Sequence, residues 1–112
     1  AFLKDLENIQ LPLQRTDYAE NIYWVFGIVL NDDVPFDARE TIKLLAEKNV
    51  GSRPFFWPMH EQPVFQNMGL FKEKSFPESE RIARRGFYIP GGLALTDCDI
   101  ERVSEILHSV LL

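Results

Sequence analysis

Residues 22–30, "IYWVFGIVL", are the longest apolar run in the chain. They are bounded by Asn21 on one side and by "NDD" at 31–33 on the other. β-Branched and aromatic side chains dominate the run, so it reads as the central strand of a small sheet. It contains a glycine and falls far short of the ~20 residues that a membrane-crossing helix needs.

Downstream, "VPFDARETIKLLAEKNVG" predicts a helix. Asp37 is the N-cap, with Glu40 three residues on in a capping-box-like start. Ile42, Leu45 and Ala46 mark its inner face, and Asn49 and Gly51 stop it, with Val50 beginning a strand. "SFPESERIARRGFYIPGG" predicts a short helix with Pro77 in its first turn and Gly86 at its end. Glu80 and Arg84 are spaced to pair on the outer face of that helix. A strand from Phe87 to Pro90 and a Gly91-Gly92 turn follow. The last helix is capped by Thr96 with Asp99, and Ile100, Val103, Ile106, Leu107 and Val110 form its apolar stripe.

Upstream, "AFLKDLENI" has apolar residues at 2, 3, 6 and 9, the spacing of the tail of a helix. "QLPLQRTDYAEN" is irregular or an edge segment because of Pro12. Opening on Ala1 rather than methionine implies processing or truncation. The alternation of strands and helices predicts a single α/β domain over residues 1–112, a two-layer α+β arrangement. Its small antiparallel sheet would have three or four strands, with helices on one face.

Bulk properties narrow the function. With 112 residues the chain can hold one modest core, burying roughly 65% of its unfolded surface. It carries 17 acidic and 12 basic residues, a net charge of −5, and has no basic stripe. No nucleic acid is therefore expected as a partner. No membrane partner is expected either, since there is no long apolar segment and no signal-peptide pattern. A single cysteine, Cys98, cannot form an internal disulfide and favours a reducing, cytoplasmic compartment. Flanked by Asp97 and Asp99, its thiol is a poor nucleophile.

Residues 52–65, "SRPFFWPMHEQPVF", hold three prolines, three phenylalanines and a tryptophan. That is too much proline for a helix or a central strand. Prolines restrict themselves and the residues before them, so the segment loses little freedom on ordering. Rigid aromatics on such a segment build binding walls or interfaces, with alternate residues facing inward and outward. His60 lies within it, and its ordinary reading is packing or a loop hydrogen bond. Arg53 is the better placed of the candidate anion ligands, and a salt bridge is its ordinary reading. His108 reads as a surface residue near a helix end, and "TDCD" as a cap rather than a calcium loop.

The wording "YWVFGIVL", "LAEKNVGSRPFFWPMHEQPVF" and "FPESERIARRGFYIPGGLALTDCDIERV" resembles the C-terminal part of the DegT/StrS family. These are pyridoxal-phosphate-dependent nucleotide-sugar aminotransferases of fold type I, and the wording is most similar to their GDP-perosamine synthase branch. The resemblance covers almost the whole chain. It implies the small C-terminal domain of such an enzyme, whose parent transfers an amino group from glutamate to a 4-keto-6-deoxy nucleotide sugar. In the family the Schiff-base lysine and the other cofactor-holding residues lie in a large N-terminal domain. Lys4, Lys43, Lys48, Lys72 and Lys74 do not match that lysine's motif, so the resemblance implies no catalytic residue and no pyridoxal phosphate bound by this chain alone. By motif, Trp57, Met59 and His60 would line the sugar side of the pocket, with Arg53 and Phe55 supporting the loop. The implied partners are the large domain, a second copy in a homodimer and the nucleotide sugar. Two other classes compete: a stand-alone ligand-binding or regulatory module of the same fold, and a purely structural domain whose aromatic loop packs on a partner.

Overall fold

The computed structural model describes residues 2–112. Four strands form one antiparallel sheet in the order β1-β2-β4-β3, where β1 is Ile9–Gln10, β2 Phe26–Leu30, β3 Arg53–Pro54 and β4 Gly86–Ile89. Ile28 pairs with Phe87 and Leu30 with Ile9, so these side chains share one face of the pleat. On that face they join Leu45 of α1 (Ala38–Glu47) and Leu107 and Leu111 of α4 (Asp97–Leu111) in one core. The antiparallel sheet with its helices is the architecture expected from the sequence.

The opposite face presents Gly27, Val29, Gly86 and Tyr88. Here Phe55, just after β3, takes the place of a helix. Its N–H donates to the Gly86 carbonyl at 3.2 Å, and its ring lies over both glycines. A Cβ on Gly27 would stand 2.6 Å from Phe55 Cζ, and one on Gly86 would meet Phe55 Cδ2 at 2.5 Å as well as the Ile82 carbonyl. Gly86 ends α3 (Pro77–Arg85), as expected, but in extended backbone rather than a left-handed cap. The close approach of Phe55 is what requires a glycine there.

The helix ends follow local chemistry. Asp37 Oδ1 accepts from Glu40 N–H at 3.0 Å, and Thr96 with Asp99 forms a complete capping box. Asn49, at φ 59°, takes the left-handed position after α1.

Four expectations need correction. Residues 2–8 form turns rather than a helix, although Leu3, Leu6 and Ile9 are buried as their spacing required. Ile22–Val25 stay out of the strand: Asn21 Oδ1 accepts from Tyr23 N–H at 2.7 Å, and Tyr23 adopts φ 50°. That turn delays pairing to Phe26. The strand expected at Val50 begins at Arg53, and Val50 instead packs in the core. Residues 59–67 are not extended: a 3₁₀ turn at Met59–Glu61 leads into a short helix α2 (Pro63–Asn67). Pro63 is tolerated because the first helical position needs no N–H donor. Among the described residues, no helix is long and apolar enough to cross a membrane.

Candidate functional site

The aromatic loop after β3 is fastened to α3 by a chain of polar contacts. His60 is buried, its Nε2 2.9 Å from Glu80 Oε1, and its ring packs against Phe76 at 4.8 Å between centroids. Glu80 also accepts from Phe76 N–H at 2.9 Å and from Ser75 Oγ at 3.3 Å. The Phe76 N–H and then His60 hold the Glu80 carboxyl below its ordinary range. Next along, Glu61 accepts from Arg84 at 2.9 Å, and the Arg84 guanidinium lies 5.1 Å from the centre of the Trp57 ring.

The expected Glu80–Arg84 side-chain pair therefore does not form. Arg84 donates to the Glu80 backbone carbonyl instead, and both side chains turn toward the loop. Donor atoms of His60, Glu61 and Glu80 come within 4.8 Å of one another, as in a cation site. Each carboxylate is already engaged by protein donors, so the trio acts as a latch that holds the loop to α3.

The five residues singled out in the sequence sit at different points along this loop. Phe55 is half-buried over Gly27 and Gly86, and His60 is inside the latch. Trp57 and Met59 are exposed. Arg53 is exposed on the edge strand and opens onto a separate small hollow shared with Trp24 and Tyr88. The inward and outward alternation holds at Phe55 and Phe56, then ends where the 3₁₀ turn re-aims the chain.

Sequence reasoning missed a larger feature. A groove of about 820 Å³ opens between the N-terminal segment, the stretch before β2, the Gly91-Gly92 turn and α4. Its walls include Phe2, Ile22, Trp24, Leu93 and Ile100, all exposed, with Ile22 at 89%. The signal was available in "IYW" at 22–24, which reading the whole run as strand assigned to the core. Contiguous apolar surface of this kind marks a contact face.

Pyridoxal phosphate was the cofactor implied for the parent. A lysine that holds it must be desolvated beside the reacting carbon, with an acidic group for the ring nitrogen. All five lysines here are exposed on the surface, so the residues of this chain do not fit that group.

Comparison with known proteins adds what geometry lacks. A family model described as the DegT/DnrJ/EryC1/StrS aminotransferase family matches residues 1–108. The chain is 27% identical over 103 residues to GDP-perosamine synthase of Vibrio cholerae, covering 89% of this chain and 27% of that protein. It is 29% identical over 91 residues to GDP-perosamine synthase of Caulobacter vibrioides, covering 81% and 24% respectively. The chain thus spans about a quarter of the length of these relatives. The aminotransferase TlmJ from Streptoalloteichus hindustanus superposes with a TM-score of 0.81 at 20% identity, over 98% of this chain and 28% of that one. At that identity the superposition speaks for the fold alone.

Proposed function

This chain belongs to the DegT/DnrJ/EryC1/StrS aminotransferase family, and we propose that it is the small C-terminal domain of a pyridoxal-phosphate-dependent nucleotide-sugar aminotransferase. The observation that carries the reading is the family match over residues 1–108 in a chain about a quarter as long as its relatives. The parent transfers an amino group from glutamate to a 4-keto-6-deoxy nucleotide sugar, in GDP-perosamine-type synthesis. Its large N-terminal domain holds the cofactor and its lysine, and this chain by itself is inactive. The apolar groove beside Trp24 is the face on which that large domain seats, and the parent works as a homodimer in the cytoplasm.

Within this reading the chain contributes walls and orientation. Trp57 and Met59 line the sugar side, Arg53 and Phe55 hold the root of the loop, and His60 keeps the loop closed on α3 through Glu80. Replacing His60 by Ala in the parent enzyme is expected to raise KM for the nucleotide sugar or to slow turnover. Unchanged kinetics would remove His60 from the site.

The reading is tested by assaying amino transfer to GDP-4-keto-6-deoxymannose by the isolated chain and by the parent protein, each with pyridoxal phosphate and glutamate. The parent is expected to form the amino sugar and the isolated chain is not. Turnover by the isolated chain, or none by the parent, overturns it.

A further inference from the structure

Three arginines stand close together on α3, and their donors go to different places. Arg81 pairs with Glu78, three residues back on the same helix, and Arg85 donates to carbonyls of the turn before α1. Of the three, Arg84 is the one whose donors reach the aromatic loop. Its Nη2 donates to both carboxylate oxygens of Glu61, at 2.9 and 3.1 Å, and its Nη1 to the Glu80 carbonyl at 3.2 Å. The guanidinium is thereby held from two sides, by the loop and by its own helix. Its central carbon lies 5.1 Å from the centre of the Trp57 ring. A planar cation over an aromatic face is attracted to it, and more strongly as water is excluded.

The main chain at Trp57 is restrained by other groups. Pro58 narrows the conformations of the residue before it, and the Trp57 carbonyl accepts from Gln62 Nε2 at 3.1 Å. Those restraints do not fix the side-chain torsions. No aromatic ring pairs with Trp57 among the described residues, and its side chain is about half exposed. The Arg84–Glu61 pair gives that ring a fixed seat. An aromatic wall that already holds its bound orientation binds more tightly, because less freedom is lost when the ligand arrives.

We propose that Arg84, held by Glu61, is a positioning residue for substrate binding: it fixes the Trp57 ring as a flat wall for the apolar face of the sugar. This role rests on the aminotransferase reading above, in which Trp57 lines the sugar side. Arg84 acts only through the ring and needs no contact with the substrate.

Two measurements test it. In the 112-residue chain carrying Trp24→Phe, Trp57 is the single tryptophan. There Arg84→Gln should raise acrylamide quenching of the fluorescence about 1.5-fold, because one face of the ring loses its cover. Arg84 is itself about half exposed, so an unchanged circular dichroism spectrum should confirm that the variant folds. In the parent enzyme Arg84→Gln should raise KM for the nucleotide sugar about threefold, with kcat and KM for glutamate nearly unchanged. Arg84→Lys, which keeps a cation but not the planar fork, should recover part of that loss. Glu61→Gln should raise the same KM, and Arg81→Gln should not. In a Trp57→Ala background Arg84→Gln should have no further effect, since the ring through which it acts is gone. A merely structural role would lower stability without separating the two KM values. Equal quenching, or a rise in KM that persists without the Trp57 ring, overturns the proposal. A wild-type parent that forms no amino sugar overturns the aminotransferase reading and this role with it, whereas an active parent indifferent to Arg84 overturns this role alone.

Discussion

Phe55 shows how one side chain can dictate residues far from it in sequence. Its ring occupies the volume that side chains at Gly27 and Gly86 would need. Gly27→Ala and Gly86→Ala are each expected to lower stability by about 1–3 kcal/mol, measured by urea unfolding. Phe55→Ala should lower it by about 3 kcal/mol, the low end for a phenylalanine because the ring is only half-buried. In the Phe55→Ala background Gly27→Ala should become nearly neutral, because the ring it collides with is gone. Additive effects would show that the ring and the glycine are not coupled. None of this was legible in sequence. A glycine after a short helix reads as a helix stop, and only the packed sheet reveals that Gly86 makes room for a ring. His60 was legible as unusual, but its burial was not, because Glu80 arrives from a different element.

Among the elements, those built from neighbours in sequence were readable. The caps at Asp37 and Thr96 and the stop at Asn49 depend on residues within one turn, and each forms as expected. Thr96→Ala is expected to lower the stability of the domain by about 1 kcal/mol in the same unfolding measurement. The loop between β2 and α1 is held by a different device. Arg85 donates to the carbonyls of Asn31, Val34 and Phe36, so one guanidinium clamps the whole 31–36 turn. Backbone carbonyls leave no trace in a sequence, which is why this role of Arg85 was not readable there. Arg85→Met, which keeps the aliphatic stem and removes the donors, should destabilise by about 2–3 kcal/mol. It should also speed amide exchange across residues 31–36 more than in β1. Uniform exchange across the domain would argue against a local clamp.

At the scale of the molecule, the alternation of strands and helices was enough to give the sheet class. The strand order was not readable, since β1 and β3 pair over two residues each and carry no periodic signal. The N-terminal segment is tied to α4 by His108, which donates from Nδ1 to the Ser104 carbonyl at 2.7 Å and faces Asp5 with Nε2 at 3.1 Å. An imidazolium satisfies both partners. The Ser104 carbonyl and then Asp5 raise His108 above its ordinary 6.5. The hydrogen bond from His108, followed by one from its own backbone, lowers Asp5 below its ordinary 3.8. The histidine's contribution is complete below 6.5 and is lost as pH rises through the raised value in the folded protein. The aspartate's is complete above 3.8 and is lost as pH falls through its depressed value. The tether should therefore be strongest between about pH 4 and 6.5. The Tm of the native chain is expected to fall relative to that of a His108→Gln variant as pH rises above 6.5. A constant difference would remove the tether from the account.

The apolar groove makes a further prediction about the chain on its own. It should bind a hydrophobic dye and self-associate at high concentration, and Ile22→Glu should reduce both without loss of helical signal, because Ile22 is 89% exposed. The two-residue edge strands determine what form that association takes. A fibril grows when a long open strand offers its main chain to the next molecule. Here both rims of the sheet are too short to act as such a template, and Pro54 removes a donor from one of them. Clusters of this chain should therefore be held by side chains alone, dissolve on dilution and leave amyloid-specific dyes dark.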